Sequence, residues 1–392
     1  MLIVSLGFLI SLAGILVISR KNLALAIATG AIILGIFTME PRLVVDQIIL
    51  TVTDSSIVTL ALAMGIIPLL GGVMKDSGQI DSLVNNLRIG KRYLLALSSA
   101  MMGLLPMPGG ALLSAPILEQ GGAGVPAETK AAINNWFRHL FILVYPLSPA
   151  LIASAKISGL DVYTAVIHLL PGFIFALILA YLFFLREVDG SVISDTRFSL
   201  SGLMIPLTII LTAPIIDFSL KRTFGFGTDA TFIGVAVAFA FSILISRQRL
   251  DLKAITQRMK PWNFTLILIA MFIYLHIFQK SDARILIATI PLPPLVLSIT
   301  GGFLLGLVTG RVQLPASIIL PVYLAGRGQI TPSVFALIYI GIFFGYVISP
   351  VHPCLVVSCE YFHVPIRDLI RRLAPPAVII FATVLVISLF FS

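Results

Sequence analysis

The chain has 392 residues, of which 58% are hydrophobic and only 11% are charged. An average soluble domain is about 25% charged, so this composition excludes a soluble enzyme. One membrane-spanning helix needs about 20 apolar residues, and the long apolar runs leave no room for a large soluble domain. The sequence therefore predicts an all-α, multi-pass protein of the cell (inner or plasma) membrane with about ten transmembrane helices.

The net charge of +9 does not indicate a nucleic-acid partner, because basic residues in short loops set the orientation of a membrane protein. The first basic residues, Arg20 and Lys21, follow an apolar run, whereas a secretory signal carries its positive charge first. We therefore predict a retained first helix with its N-terminus outside. With that orientation, eighteen of the 26 Lys and Arg residues fall on the cytoplasmic side, as the positive-inside rule requires.

In chain order the predicted elements are three spans, a hairpin, a broken span and a final span, and the same order then repeats. The hairpins, 93–118 and 286–324, contain proline and glycine at their turns, so both are predicted to be re-entrant. The broken spans are predicted at 139–157 and 334–356. The remaining spans are predicted at 2–19, 23–38, 55–74, 161–185, 199–217, 229–246, 263–279 and 374–391.

Matching motifs indicate that residues 1–190 and 191–392 are two repeats. Each half has five crossings, an odd number, so the second half must be inverted relative to the first. Inverted repeats with broken helices are typical of secondary transporters. The alternative is chance similarity among apolar segments, against which the shared order of elements argues. The matching positions are Gly103 with Gly306, Ser114 with Ser317, Tyr145–Pro149 with Tyr346–Pro350, and Val166–Pro171 with Ile370–Pro375.

Three stretches carry a family resemblance: Gly103–Pro116, Asn134–His139 and Tyr145–Pro149. Through them the chain resembles a prokaryotic membrane family of unassigned function, and the similarity runs over nearly its whole length. That family is grouped in the ion transporter superfamily with citrate, dicarboxylate, gluconate and lactate permeases. The resemblance implies a homodimeric carrier in which a transport domain containing both hairpins moves against a fixed scaffold. The dicarboxylate relatives bind sodium and carboxylates through Ser-Asn-Thr motifs. Those motifs are absent here, so neither ligand follows from the resemblance.

The binding site is predicted where the hairpin turns meet the helix breaks, because broken helices offer free N–H groups to anions and free carbonyls to cations. For the serines, the alternative is a hydrogen bond to their own helix backbone. The predicted binding residues are Pro108, Gly109, Gly110, Ser114, Ser148 and Pro149 in the first half, and Thr309, Gly310, Arg311, Gln313, Ser317, Ser349, Pro350 and His352 in the second.

Three ionisable residues suggest the chemistry of transport. Arg311, at a hairpin turn, would bind a carboxylate or a phosphate with two parallel hydrogen bonds, which predicts an anionic substrate. The alternative is that its side chain extends to the outer surface of the membrane. His352, between two prolines, would bind substrate or carry a coupling proton, or else hold a freed carbonyl. Glu360 is the only acid near the second break. It is a second candidate proton carrier, with a place in the cytoplasmic interface as the alternative.

The segment 127–138 is predicted to be a surface helix leading into the first broken span. Asn135 and His139 are candidate gate residues, while Trp136 and Arg138 are better explained as interface anchors. The five histidines and two cysteines lack metal-ligand spacing, so no metal is predicted. Protease, nucleophile-elbow and P-loop motifs are also absent, which argues against an enzyme or an ATP-driven pump.

These observations predict a secondary active transporter of a small organic anion, coupled to H+ or Na+, that works by elevator-like alternating access without a bound cofactor. One alternative is cation/proton antiport, which needs carboxylates near the midplane of the membrane. The other is a passive channel or a membrane protein that transports nothing.

Overall fold

The computed structural model describes residues 2–87, 89–104, 110–190, 198–246, 248–283 and 293–390, and within these ranges the chain is helical without a β-strand. The first-half helices are α1 (Leu2–Ile18), α2 (Leu23–Thr38), α3 (Pro41–Thr53), α4 (Ser55–Asp76), α5 (Gln79–Asn85), α6 (Lys91–Leu104), α7 (Gly110–Gly121), α8 (Ala127–Leu140), α9 (Pro149–Ile157) and α10 (Val162–Ala180). The second-half helices are α11 (Leu200–Phe224), α12 (Thr228–Ile245), α13 (Leu252–Met259), α14 (Pro261–Lys280), α15 (Pro294–Thr309), α16 (Gln313–Arg327), α17 (Pro332–Val347), α18 (Pro353–Phe362) and α19 (Ile366–Ser388).

The helices carry the length and composition of an integral membrane protein. In the described chain, five shorter apolar helices accompany six that are long and apolar enough to cross a membrane. Large apolar side chains such as Leu244, Val17 and Ile167 are exposed on the outer faces, as contact with lipid requires. The six long helices are Ser55–Asp76, Val162–Leu185, Leu200–Phe224, Thr228–Ile245, Leu252–Lys280 and Ile366–Ser388. The prediction of about ten crossings stays a prediction.

The predicted hairpins and breaks correspond to pairs of helices. The first hairpin contains α6 and α7, which pack together, and the second contains α15 and α16, joined by a short turn. The first break separates α8 from α9, with a 3-10 turn at Phe141–Leu143, and the second separates α17 from α18. Since a proline starts both α9 and α18, each new helix begins with the one residue that has no N–H to satisfy.

The helix predicted over 127–138 is present, but the prediction that it lies on the surface is wrong. It is α8, which continues to Leu140 and is buried from Thr129 onward. The sequence looked amphipathic because α8 is rich in polar residues, but those residues meet hydrogen-bond partners on other helices. The short helices α3, α5 and α13 were also not predicted. They are too short or too polar to register as membrane spans.

The helices pack in two groups. One contains α1, α2, α4, α11, α12 and α14, which contact one another. The other contains both hairpin pairs together with α8, α10, α17, α18 and α19. The two groups are joined by contacts between α14 and α16, and α9 contacts both of these helices. The hairpins and breaks therefore lie together in one part of the molecule.

Asp54 caps the first long span, and its replacement by alanine is expected to lower the stability of the protein by about 0.5–2 kcal/mol. Its carboxylate accepts hydrogen bonds from the backbone N–H groups of Ser56 (2.8 Å) and Ile57 (3.1 Å) at the start of α4. The Ser56 hydroxyl and these N–H groups hold the pKa of Asp54 below its usual value of 3.8. The carboxylate's contribution is therefore complete above that value and is lost as the pH falls through the lower folded-state pKa.

Thermal unfolding of the detergent-solubilised protein at neutral pH measures this loss. Asp54→Asn is the matched control, because asparagine caps a helix as well as aspartate does. A loss equally large with asparagine would contradict a capping role.

Candidate functional site

Two histidines from opposite halves of the chain meet where α8 packs against the second break. The Nε2 atoms of His139, near the end of α8, and His352, in the second break, are 3.0 Å apart. Both side chains are buried, and their rings are nearly perpendicular with centroids 4.6 Å apart. Tyr346 packs edge-on against both rings. This contact joins the first broken helix directly to the second.

A backbone carbonyl lies beside Nδ1 of each ring. Nδ1 of His139 lies within hydrogen-bond distance of the Asn135 carbonyl, and Nδ1 of His352 lies 3.4 Å from the Gly310 carbonyl. A carbonyl only accepts hydrogen bonds, so each of these contacts is a hydrogen bond in the tautomer that carries its proton on Nδ1. In that tautomer both Nε2 atoms carry lone pairs, and in the other tautomer of either ring its Nε2–H donates to the partner Nε2. Such an arrangement attracts a proton or a cation between them.

Cys354 lies beside the two histidines. Its Sγ atom and one nitrogen of each imidazole all lie within 4.8 Å of one another. Cys354 is a free cysteine, and the residue as a whole is partly exposed. Spacing along the sequence could not reveal this cluster, because His139 comes from the other half of the chain.

Two asparagines of α8 tie three further helices to the same region. Asn134 accepts a hydrogen bond from the Ser114 hydroxyl, and its Nδ2 donates to the Ala111 carbonyl (3.2 Å) and to Ser358 Oγ (3.0 Å). Asn135 Nδ2 donates to the Val347 carbonyl (3.0 Å) where α17 ends. Asn135 Oδ1 is buried and has no hydrogen-bond partner among the described residues. Most of the polar surface that made α8 look solvated is thus satisfied internally.

Arg138 is buried on α8, with 4% of its surface exposed. Its Nη1 atom donates to the Met102 carbonyl (3.0 Å), and in the described part of the chain no carboxylate lies within 4.0 Å of it. Lys130 on the same helix contrasts with it, because Lys130 pairs with Glu119 at 2.6 Å. Burying a cation without a partner costs several kcal/mol, so Arg138 is unusual.

The interface-anchor prediction for Arg138 and Trp136 is wrong, since both side chains are buried. Trp136 packs between the rings of Phe184 and Phe344, each with its centroid 5.4 Å away. One signal in the sequence could have identified Arg138. It is an arginine next to an apolar span, without an acid nearby on its own helix face.

The second hairpin turn packs against the second break. Gly310 adopts a left-handed conformation (φ +60°), and a Cβ placed there would approach the backbone N of His352 to 3.0 Å. The Ser349 hydroxyl donates to the Leu307 carbonyl (2.6 Å) of α15. Arg311, beside Gly310, is half-buried, and no carboxylate of the described residues lies within 4.0 Å of it.

The other predicted binding residues are spread around this centre. The hydroxyls of Ser317 and Thr309 donate to carbonyls of their own helices, Leu314 and Leu305. Ser148 is buried without a hydrogen-bond partner in the described chain. Pro149 and Gln313 line one small cavity, while Pro350 and Glu360 are exposed. Gly110 begins α7. Pro108 and Gly109 lie outside the described residues, and so does the contact predicted between the first hairpin turn and the first break.

A second polar region lies between α9, α10, α11 and α12. A cavity of about 400 Å³ is lined there by three basic residues, Lys156, Lys221 and Arg222. Beside it, the buried Asp217 accepts hydrogen bonds from the Tyr163 hydroxyl (2.7 Å) and the Thr231 hydroxyl (2.8 Å), and it pairs with Lys221 (3.0 Å). Sequence reasoning missed Asp217, although it is an acid inside an apolar run.

Comparisons with known proteins agree with a transporter-like membrane fold. A family model described as "Protein of unknown function (DUF401)" matches residues 3–390. The chain belongs to this family. No curated protein matches the chain. The crystal structure of the YdaH transporter of Alcanivorax borkumensis is similar, with a TM-score of 0.53 and 17% identity over 88% of this chain and 87% of that chain. At that identity the similarity shows the fold alone.

Proposed function

We propose that the protein is a secondary active transporter, not an enzyme, that carries a small carboxylate-containing anion across the cell membrane by alternating access. The observation that supports this most strongly is Arg138, a buried cation without a carboxylate partner in the described chain. A guanidinium binds a carboxylate through two parallel hydrogen bonds, so the missing anion would be the substrate. Arg138 lies on the helix that leads into the first break, where transporters place their substrates.

The fold supports the same proposal. A structure similar to this one is that of a transporter, and both halves of this chain contain a helix pair followed by a broken helix. Gly103 of α6 packs on the backbone of α8, and Gly306 of α15 packs on the backbone of α17. These equivalent contacts favour the inverted repeat and, with it, the ion transporter superfamily. The two packing groups fit a scaffold and a moving transport domain. The resemblance implies a homodimer, and the distribution of basic residues implies an external N-terminus.

The coupling ion is H+ or Na+. His352 remains the candidate proton carrier, because its Nε2 faces that of His139. Glu360 loses support because its side chain is exposed. Cation/proton antiport is the second candidate, and the buried Asp217 is the observation that favours it. However, Asp217 is already paired with Lys221, which is how a structural acid is satisfied.

The expected result for purified protein in liposomes is saturable carboxylate uptake that an inward H+ or Na+ gradient accelerates. A thermal-shift screen of mono-, di- and tricarboxylates, with and without sodium at two pH values, first selects the substrate. A ligand at a hundredfold excess over its Kd stabilises the protein by about 2.7 kcal/mol. If no carboxylate moves under any ion gradient, the proposal fails. Stabilisation by cations or pH alone would favour antiport instead.

A further inference from the structure

We propose that His139, His352 and Cys354 form a binding site for a transition-metal ion of the zinc class, held between the two broken helices. The three side chains offer two imidazole nitrogens and one thiolate, all within 4.8 Å of one another. These are the ligands that zinc prefers in proteins. This inference concerns ion binding to the substrate-free protein, and so it does not depend on which substrate is transported.

The orientation of the two imidazoles is the strongest support. Histidines that bind metals usually donate their other ring N–H to a backbone carbonyl or a carboxylate, which fixes the tautomer and the ring plane. Here Nδ1 of His139 meets the Asn135 carbonyl, and Nδ1 of His352 meets the Gly310 carbonyl. The two Nε2 atoms, 3.0 Å apart, are therefore the ring nitrogens left to bind an ion. A contact of 3.0 Å between two ring nitrogens requires a shared proton or an ion, and the ion is the one that also uses the neighbouring thiol.

The spacing of the ligand atoms also fits. Zinc–nitrogen bonds of 2.0–2.1 Å in a tetrahedral site separate two nitrogen ligands by about 3.4 Å. The observed 3.0 Å between the Nε2 atoms is therefore close to the separation that an ion requires. Cys354 needs only a modest side-chain movement to complete the set, since all three donors already lie within 4.8 Å.

An ion can reach this site and leaves one coordination position open. Cys354 is partly exposed, and its neighbours Pro350, Val351 and Pro353 are exposed, so the cluster lies just beneath the surface of the chain. Three protein ligands leave the fourth position of a tetrahedral ion to water or another small ligand. On binding, the thiol loses its proton to solvent and the thiolate sulfur forms the metal bond, with no change in oxidation state.

The ligand set also determines which ions are excluded. Thiolate and imidazole favour zinc, cobalt and copper, whereas Mg²⁺ and Ca²⁺ prefer oxygen ligands. Arg138 is the residue directly before His139 on α8. Its positive charge opposes a bare cation, and the thiolate offsets one unit of that charge. A site of this kind therefore selects ions that bond to sulfur over ions held by charge alone.

Cobalt titration of the purified, tag-free full chain tests the proposal. The expected result is one Co²⁺ per chain with a thiolate-to-cobalt charge-transfer absorption, displaced by Zn²⁺ but not by excess Mg²⁺. Cys354→Ser should abolish that absorption. His139→Gln and His352→Gln should each weaken binding by more than the roughly 10–100-fold that loss of an outer partner of a metal ligand costs. Cys359→Ser is the matched control, because Cys359 is the other free cysteine, and it should change neither the absorption nor the affinity.

Protection of the thiol gives a second, independent measurement. In the Cys359→Ser background, Zn²⁺ should slow the reaction of Cys354 with a maleimide. Cobalt binding without a charge-transfer absorption, or an unchanged labelling rate at saturating Zn²⁺, would overturn the site. The metal-free thermal stability of Cys354→Ser must match that of the parent protein, which separates loss of a ligand from misfolding.

Discussion

Replacing Arg138 with glutamine is expected to abolish anion binding while leaving the ligand-free protein as stable as the parent or more stable. The native side chain is a buried cation without a carboxylate partner in the described chain, and that burial costs several kcal/mol. Glutamine removes this cost and keeps an N–H group to donate to the Met102 carbonyl. The bound anion, in contrast, loses its charge partner, a change worth about 3–5 kcal/mol or more than 100-fold in affinity.

Thermal unfolding with and without the best carboxylate ligand measures both effects in one series. Lys130→Gln is the matched control, because Lys130 is a buried cation on the same helix that already pairs with Glu119. We expect it to lower stability and to leave the affinity unchanged. If Arg138→Gln instead destabilised the protein and bound the anion normally, Arg138 would serve only to hold the Met102 carbonyl. The proposed substrate site would then be wrong.

The elements of the fold could be predicted from the sequence because their signals are local. Proline and glycine in the hairpin turns, and Ser-Pro at each break, mark the ends of helices wherever the chain goes afterwards. Helices therefore stop at Val347 and restart at Pro149 and Pro353, close to the predicted positions. The same reasoning missed α3 and α13, since a short amphipathic helix carries no apolar run.

The site could be predicted only in part, because its contacts are not local. His352 was singled out for its place between two prolines, whereas its partner His139 is 213 residues away along the chain. No spacing rule connects the two. Among the four predicted serines, Ser114 and Ser349 hydrogen-bond to other helices, Ser317 bonds to its own helix, and Ser148 has no partner in the described chain. Identical residue types at matching positions thus meet different surroundings.

The burial of helix α8 could not be predicted from the sequence for the same reason. Its polar residues predicted a solvated face, but two of them donate hydrogen bonds to a carbonyl of α17 and a hydroxyl of α18. The sequence alone does not show that these acceptors lie beside α8. A polar residue is buried when its partners are supplied from elsewhere in the fold. In a membrane protein, a polar helix between two apolar spans is therefore as consistent with a buried site as with an interface.

Gly103→Ala is expected to destabilise the protein by more than about 3 kcal/mol or to prevent its folding, because overpacking against a rigid backbone cannot be relieved by a rotamer change. A Cβ on Gly103 would overlap the carbonyl O of Arg138, so α6 and α8 would have to separate. Gly306→Ala should have a similar effect, since its Cβ would overlap the carbonyl O of Ile342 on α17. Thermal unfolding in detergent, together with the yield of monodisperse protein, measures both losses.

Gly326→Ala is the matched control. Gly326 lies near the end of α16, where an added methyl group would meet nothing within 4 Å apart from its chain neighbours and its own helix backbone. Alanine there should be neutral or stabilising by up to about 1 kcal/mol. Gly103 and Gly306 occupy matching positions in the two halves, so similar losses at both would support a shared ancestral packing of hairpin on broken helix. A large loss at one glycine and none at the other would show that the two halves pack by different rules, and it would weaken the case for an inverted repeat.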